Sequence, residues 1–222
     1  MRRLPRFGAP ERAVHHVTAL LMFACLVTAV CLYFPSVSTL VGRRHLLKTI
    51  HVWAGFALPV PILLGLLSRG FREDLRRLDR FTPVDRQWLR RRDRRDVRDG
   101  TGVLPVGKFN AGQKINAAFV AGSLLVMLAT GTMLAFPGPW PVDLRTGATF
   151  VHDWLFLAVA VMTCGHLWYA LRDREAMAGM LTGSVTARWA AEHHAGWLAE
   201  ETCQTDHEES PRNERPSGPV RP

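Results

Sequence analysis

The stretch HDWLFLAVAVMTCGH, residues 152–166, carries a histidine at each end of a run whose only charged side chain is Asp153. His166 follows His152 by 14 positions, nearly four full turns of an α-helix, so both imidazoles point to the same side. At a helical rise of about 1.5 Å per residue, they lie about 21 Å apart along the axis. Ionisable groups inside an apolar helix of this length are costly and usually serve a function.

Three further apolar segments resemble this one. The predicted spanning helices cover residues 14–34, 46–67, 115–136 and 148–171, and each is long enough to cross a hydrocarbon core roughly 30 Å thick. We expect Pro59 and Pro61 to kink the second helix, because proline donates no backbone hydrogen bond. The length of the first segment favours a retained helix over a signal peptide. The sequence thus predicts an all-α integral membrane protein, built as a four-helix transmembrane bundle.

The net charge of +9 is unevenly distributed. Arginines crowd the N-terminal stretch and the loop at residues 68–114, whereas the turn between the third and fourth helices carries only Arg145. This bias predicts cytoplasmic N- and C-termini and a cytoplasmic arginine-rich loop, although Arg43, Arg44 and Lys48 oppose it. We therefore expect a multi-pass protein of the bacterial cytoplasmic (inner) membrane, whose arginines face lipid and not nucleic acid.

The chain divides into a membrane domain and a tail. Residues 1–200 are predicted to form the transmembrane domain, with a surface helix around residues 81–95 of the arginine-rich loop. We interpret that loop as a solvated arm that faces lipid headgroups. Residues 201–222 are polar and rich in proline, which predicts a disordered cytoplasmic tail.

Four histidines lie in or at the ends of the spans, and the topology sets their depth. On the outer side, His51 lies near the start of the second helix and pairs with His152. On the inner side, His15 begins the first helix and pairs with His166. His16 is the nearest alternative to His15, about 100° round the helix. We expect His45, His193 and His194 to lie outside the membrane, the last two at the surface.

Two neutral imidazoles satisfy a haem iron, and burial in lipid favours the neutral form. The two pairs lie too far apart to form one tetrahedral zinc site. The sequence contains neither Cys-x-x-Cys nor Cys-x-x-Cys-His, which excludes common cluster motifs and c-type attachment. The pattern therefore predicts two b-type haems in residues 1–200. Glycines near the ligands would admit the macrocycle; they are Gly55, Gly122, Gly131 and Gly165.

The stretch GKFNAGQK, residues 107–114, precedes the third helix on the predicted cytoplasmic side. Asn110 and Gln113 offer amide donors and acceptors at membrane depth, and Gly112 permits close backbone approach. One interpretation is a ligand site. The other is structural: Asn110 caps the helix while the lysines anchor it to headgroups.

The whole pattern resembles the cytochrome b (gamma) subunit of membrane-bound formate dehydrogenases. The resemblance covers about residues 6–198. Its most specific motifs are GKFNAGQK and the later run Trp189-Ala190-x-x-His193-His194-x-x-Trp197. The sequence departs from the family pattern at three positions, where His16 replaces a usual tryptophan, Ala29 a usual glycine and Ala195 a usual proline.

The resemblance implies an electron-transfer subunit of an oxidoreductase complex, with no site for the primary oxidation in this chain. Its implied partners are a periplasmic iron–sulfur subunit and a molybdenum or tungsten catalytic subunit. Electrons would cross two b haems and reduce menaquinone near the cytoplasmic face, at the motif matched by Asn110, Gly112 and Gln113. Two alternatives stay open: the same scaffold in a nickel–iron hydrogenase or thiosulfate reductase-like complex, and a haem-free membrane anchor or transporter.

Overall fold

The computed structural model describes residues 2–90 and 104–209, with side chains as far as residue 203. Four apolar helical stretches are long enough to span a membrane, which confirms the predicted all-α membrane architecture. They are α1 (Ala9–Tyr33), α3 (Arg44–Ala57) continued by α4 (Pro59–Gly65), α7 (Ala111–Ala135) and α8 (Val142–Arg172).

Each spanning helix begins earlier than its apolar segment predicts. Helix α1 starts with a proline in its first turn, followed by Glu11, and α7 starts at a capping box formed by Asn110 and Gln113. The hydropathy pattern does not include these polar first turns, because they lie outside the apolar segments. Caps and first-turn residues of this kind nevertheless favour helix initiation. The interruption expected from the prolines lies at Leu58, where α3 ends and α4 begins.

The spanning helices pack as a bundle in which α1 lies along α3 and α4, and α7 lies along α8. Helices α1 and α8 also meet, as do α3 and α7, so the four stretches enclose a common interior. Large apolar side chains cover the outside, among them Leu20 and Leu125, which are 70% and 69% exposed. Such an apolar exterior suits a lipid environment, where burying leucine inside the protein brings no advantage.

The arginine-rich loop contains two helices, α5 (Arg69–Asp79) and α6 (Pro83–Arg90). The surface helix predicted around residues 81–95 is therefore confirmed from Pro83 to Arg90, and residues 91–95 lie outside the described residues. The interpretation of the whole loop as a solvated arm needs correction. Asp74 and Asp85 are buried at 6% and 3% exposure, because both helices pack against the bundle end that begins α7.

A small cap closes the same end of the bundle. Strand β1 (Arg3–Pro5) pairs antiparallel with β2 (Ser184–Thr186), and α9 (Arg174–Thr182), α10 (Ala187–His193) and α11 (Ala195–Glu209) surround the ribbon. Leu4, Val185, Trp189 and Trp197 form its apolar core. The pairing brings the N-terminal strand and the segment after α8 together at one end of the bundle. A short helix, α2 (Pro35–Val41), follows α1 at its C-terminal end.

The tail differs from its prediction. Helix α11 continues to Glu209, so residues 201–209 are helical where disorder was expected. The buried indole of Trp197, 1% exposed, anchors the first turn of this helix in the cap, and such an anchor offsets the weak apolar content that follows. Residues 210–222 lie outside the described part of the chain.

Candidate functional site

The structure brings together the outer pair of histidines predicted from depth. His51 on α3 and His152 on α8 face each other with ring centroids 6.3 Å apart and ring planes inclined by 67°. The two helices approach from opposite sides of the bundle interior, so neither imidazole reaches the other for a direct hydrogen bond. The arrangement leaves a gap between two nitrogen ligands.

The second pair has nearly the same geometry. His15 on α1 and His166 on α8 have ring centroids 6.3 Å apart and planes inclined by 60°. His16, the alternative inner ligand, is exposed and its Nε2 lies 3.2 Å from the carbonyl oxygen of Met180. The structure therefore places His15 opposite His166 and directs His16 towards α9.

This spacing fits a metal ion held between two imidazoles. Half of the 6.3 Å separation is about 3.1 Å, and a bond from an imidazole nitrogen to a metal takes about 2.0 to 2.1 Å of it. The distance from the nitrogen to the centre of its own ring accounts for the rest. The same fit recurs at both pairs, so each pair of imidazoles would be able to hold one iron.

Two threonines orient the outer histidines, and the sequence interpretation missed both. Thr28 donates to the carbonyl of Ala24 at 2.6 Å, and its oxygen lies 2.9 Å from His51 Nδ1. Thr130 donates to Val126 at 2.8 Å and lies 2.9 Å from His152 Nδ1. Because each hydroxyl proton is engaged by a carbonyl, each oxygen accepts from Nδ1–H, which leaves Nε2 free to bind a metal.

A cavity of about 340 Å³ opens beside the outer pair. His51 and His152 both line it, and most of the other walls are apolar side chains of α1, α3, α7 and α8, such as Leu26, Leu128 and Phe156. A flat apolar macrocycle suits these walls, and the two imidazoles supply the ligands that its iron needs. The residues present therefore fit a haem.

The glycines contribute unequally to this cavity. A side chain at Gly131 would meet the imidazole of His152, with a Cβ only 3.3 Å from its Cε1, so the ring would have to shift by a few tenths of an ångström. Gly55 lines the cavity and has open space around it. Nothing lies within 4 Å of the Cβ position of Gly122 or Gly165. Gly131 and Gly55 thus line the outer cavity as predicted, and the role of Gly122 and Gly165 stays a prediction.

The GKFNAGQK stretch forms the start of α7, and its two amides make a reciprocal capping box. Asn110 Oδ1 accepts from the backbone N–H of Gln113 at 3.0 Å, and Gln113 Oε1 accepts from the backbone N–H of Asn110 at 2.9 Å. The predicted cap at Asn110 is thus confirmed, whereas the lysines expected to anchor the helix to headgroups pair with Asp74 and Asp85 instead. The capping box engages the side-chain oxygens, so the amide NH₂ groups remain suited to donate to a ligand carbonyl.

Two ion pairs fix the flanks of this stretch. Lys108 Nζ lies 2.6 Å from Asp74 on α5, and Lys114 Nζ lies 2.7 Å from Asp85 on α6. Burial raises the pKa of Asp74 above its usual value despite the Lys108 ammonium. Burial also opposes ionisation of Asp85, but hydrogen bonds from Lys114 and Thr82 outweigh it and lower the pKa of that carboxyl.

Comparison with known proteins agrees with this geometry. Residues 6–183 match the family of prokaryotic cytochrome b561. The chain belongs to this family. Together with the four apolar helices, membership makes the chain a haem-binding membrane cytochrome b of electron transfer, and a multi-pass protein of the bacterial inner membrane.

Curated relatives of the cytochrome point the same way. The formate dehydrogenase cytochrome b556(fdo) subunit of Escherichia coli (strain K12) is 24% identical over 201 residues, covering 88% of this chain and 92% of the relative. The nitrate-inducible cytochrome b556(Fdn) subunit of the same organism is 24% identical, covering 86% and 88%. A formate dehydrogenase cytochrome b556 subunit of Haemophilus influenzae is 25% identical, covering 90% and 84%. These relatives confirm the resemblance that the motifs indicated.

The cap of the cytochrome contains a buried histidine that the sequence placed wrongly at the surface. His194 is 1% exposed; its Nδ1 donates to the Gly107 carbonyl at 2.7 Å and its Nε2 accepts from Arg6 at 3.1 Å. Burial, followed by the Arg6 charge, lowers the pKa of His194 to about 3. His193, by contrast, is exposed as predicted.

Arg6 completes this connection between the cap and the start of α7. Its guanidinium donates to the Lys108 carbonyl at 2.7 Å and stacks 4.6 Å from the Trp189 ring centroid. Burial lowers the pKa of Arg6 to about 10. Together with the hydrogen bond from the Trp197 amide to the Val106 carbonyl at 3.1 Å, these contacts hold three consecutive carbonyls ahead of Asn110. The motif around Trp189 therefore positions the loop.

Proposed function

We propose that the chain is the membrane cytochrome b subunit of a formate dehydrogenase-like complex. It passes electrons from a periplasmic iron–sulfur subunit to menaquinone at the cytoplasmic side, while a molybdenum- or tungsten-containing partner carries out the primary oxidation. The names of the curated relatives support this complex. The observation that carries the electron-transfer route is the pair of matched histidine gaps, each with ring centroids 6.3 Å apart.

Each haem, when bound, supplies a one-electron carrier. His51 and His152 hold the outer group, and His15 and His166 hold the inner one. Thr28 and Thr130 keep the outer imidazoles in the tautomer that ligates. Because α8 carries one ligand of each pair, it fixes both sites relative to each other within one continuous helix.

Quinone reduction is assigned to the start of α7. Reduction of menaquinone to menaquinol consumes two electrons and two protons, so its site must reach both the inner pair and water. The start of α7 and the His15/His166 pair lie at the same end of the bundle, because α7 and α8 run antiparallel and the cap joins α1 to the segment after α8. Asn110 and Gln113 donate to the quinone carbonyls, and Gly112 lets the Trp88 ring pack beside them, 3.2 Å from its Cβ position.

The two-haem assignment predicts separable losses. His152→Ala and His166→Ala should each remove about half of the b-type absorbance in dithionite-reduced minus oxidised spectra of the purified chain, from different sites. The double variant should retain none. If either single variant kept the full absorbance, the ligand assignment would be wrong. A wild-type chain without a b-type band would exclude the proposed function altogether.

The donor is tested in membranes that contain the assembled complex. Formate should reduce the haems and hydrogen should not, whereas the opposite result would assign the same scaffold to a nickel–iron hydrogenase-like complex. If neither formate nor hydrogen reduced the haems, both assignments would be excluded, and the thiosulfate reductase-like complex would be the remaining alternative.

A further inference from the structure

One cation lines the cavity beside the outer histidine pair. Lys48 lies on α3 three positions before His51, about one helical turn nearer to the start of the helix. Residues 48, 51, 52 and 55 have the spacing of one helix face, and all four line the cavity. The helical register therefore turns Lys48 towards the interior that holds His51.

The surroundings of Lys48 supply little to balance its charge. Most of the cavity wall is apolar, and Asp153 is the single carboxylate among the described residues that line it. In the described part of the chain, no ion pair within 4.0 Å joins Lys48 to Asp153 or to any other carboxylate. Lys48 is itself exposed, so its ammonium group needs no partner to offset burial. It nevertheless lines an apolar cavity without a carboxylate bound to it, and is therefore available to pair with an anionic group of a ligand that occupies the cavity.

We propose that Lys48 binds a propionate carboxylate of the porphyrin in the outer cavity, an inference that rests on the proposed function. Haem b has an apolar macrocycle with two carboxylates on one edge. The apolar walls match the macrocycle, His51 and His152 match the iron, and Lys48 matches the carboxylate edge. Lys48 thereby orients the macrocycle with this edge towards the start of α3, the end of the bundle opposite the cap.

The ion pair has a consequence for the redox potential. An unpaired propionate stabilises the ferric iron, which carries more positive charge than the ferrous iron. A cation that neutralises the carboxylate removes part of this preference and raises the midpoint potential. Lys48 therefore makes the outer haem easier to reduce, which favours its acceptance of electrons from a donor on that side.

The test is a redox titration of the purified chain, with the outer haem isolated by His166→Ala. In that background, Lys48→Met keeps the length of the side chain without its charge and should lower the midpoint potential. Lys48→Arg should restore it. Arg43→Gln removes an exposed cation at the same end that does not line the cavity, and it should leave the potential unchanged.

The inner haem supplies the second reference. In the His152→Ala background, where only the inner haem remains, Lys48→Met should leave the potential where it was. Equal shifts in both backgrounds, an equal shift with Arg43→Gln, or no shift in the outer haem would each overturn the proposal. If Lys48→Met lost only the outer haem, the loss of absorbance should again be reversed by Lys48→Arg. Absence of haem from the wild type would instead refute the proposed function.

Discussion

At the scale of single residues, two threonine hydroxyls determine which ring nitrogen of His51 and of His152 carries the proton. Thr28 and Thr130 each engage a carbonyl of their own helix and an imidazole of the neighbouring helix. The repeated arrangement selects the same tautomer on both sides of the outer site. Groups that hydrogen-bond to the ligands commonly govern affinity at metal sites, so we expect these hydroxyls to affect haem affinity at the outer pair.

Thr130→Val should weaken the outer haem site about 10- to 100-fold, the usual effect of losing a contact behind a metal ligand. The substitution preserves the shape of the side chain but leaves His152 Nδ1–H without its acceptor. Haem titration of the purified apoprotein measures the affinity. Thr132→Val is the matched control, because Thr132 lines the same cavity while its hydroxyl donates to the Leu128 carbonyl at 2.6 Å. Equal losses in both variants would contradict the prediction.

Asn110→Ser separates capping from quinone binding. Serine caps a helix about as well as asparagine but has no NH₂ group. We expect the variant to keep both haems and its thermal stability, while oxidation of the dithionite-reduced haems by menadione slows by roughly tenfold, which corresponds to the loss of a single hydrogen bond of about 1.4 kcal/mol. Gln113→Ala should slow the same step. Unchanged rates in both variants would leave these amides a capping role alone.

The limits of sequence interpretation are clearest at the histidines. Depth and a spacing of 14 positions were enough to pair His15 with His166 and His51 with His152, because helix geometry and a bilayer leave few other arrangements. The threonines could not be found in this way, since a hydroxyl in an apolar helix most often bonds its own backbone. His194 was misplaced because its burial depends on Arg6, which is 188 positions away.

At the scale of elements, α5 and α6 act as braces for the start of α7. Each contributes one buried aspartate to a lysine that flanks Asn110 and Gln113, and the ring of Trp88 on α6 lies 3.2 Å from the Cβ position of Gly112. The arginines of these helices suggested only an exposed charged loop. Composition could not reveal the braces, because their contacts are made by the few acidic residues among many basic ones.

Asp85→Asn should loosen α6, because it leaves Lys114 buried to 10% exposure without its carboxylate. Breaking a buried pair in this way costs about 3–5 kcal/mol. Amide hydrogen exchange across residues 83–90 should become faster. Glu73→Gln removes an ion pair whose side chains are 55% and 30% exposed, so its effect should stay below about 1 kcal/mol. If the double variant Asp85→Asn, Lys114→Gln restored slow exchange, the result would support the role of the ion pair. If Glu73→Gln made exchange across residues 83–90 as fast as Asp85→Asn does, the result would contradict it.

At the scale of the whole molecule, the cap joins both ends of the described chain to the start of α7. Its ribbon and the buried set of Arg6, His194 and Trp197 connect segments that are distant in sequence. The resemblance identified the motif but not its purpose. In the fold, the motif from Trp189 to Trp197 has a structural role: it holds the loop that precedes Asn110 and thereby supports the candidate quinone site.

The buried His194 predicts loss of stability in acid. Its pKa is about 3 in the folded protein and about 6.5 when unfolded, so the unfolded chain binds the proton more readily. The contribution of neutral His194 to the free energy of unfolding is therefore fully present above pH 6.5. It falls by about 1.4 kcal/mol for each pH unit below that value, until pH approaches 3. Melting temperatures of the detergent-solubilised chain between pH 7 and pH 4 measure the slope. His194→Gln removes the titrating group and should flatten it; an unaltered slope would assign acid sensitivity to other groups.

In the proposed two-haem function, one continuous helix would also govern how fast electrons pass between the two haems. Tunnelling between redox centres falls steeply with distance, and the 14 positions between His152 and His166 on α8 set that distance as a ruler does. A single inserted or deleted residue would rotate one imidazole by about 100° relative to the other. For the proposed electron transfer, the segment could therefore exchange one apolar side chain for another, but a change in its length would misalign one of the two histidine pairs.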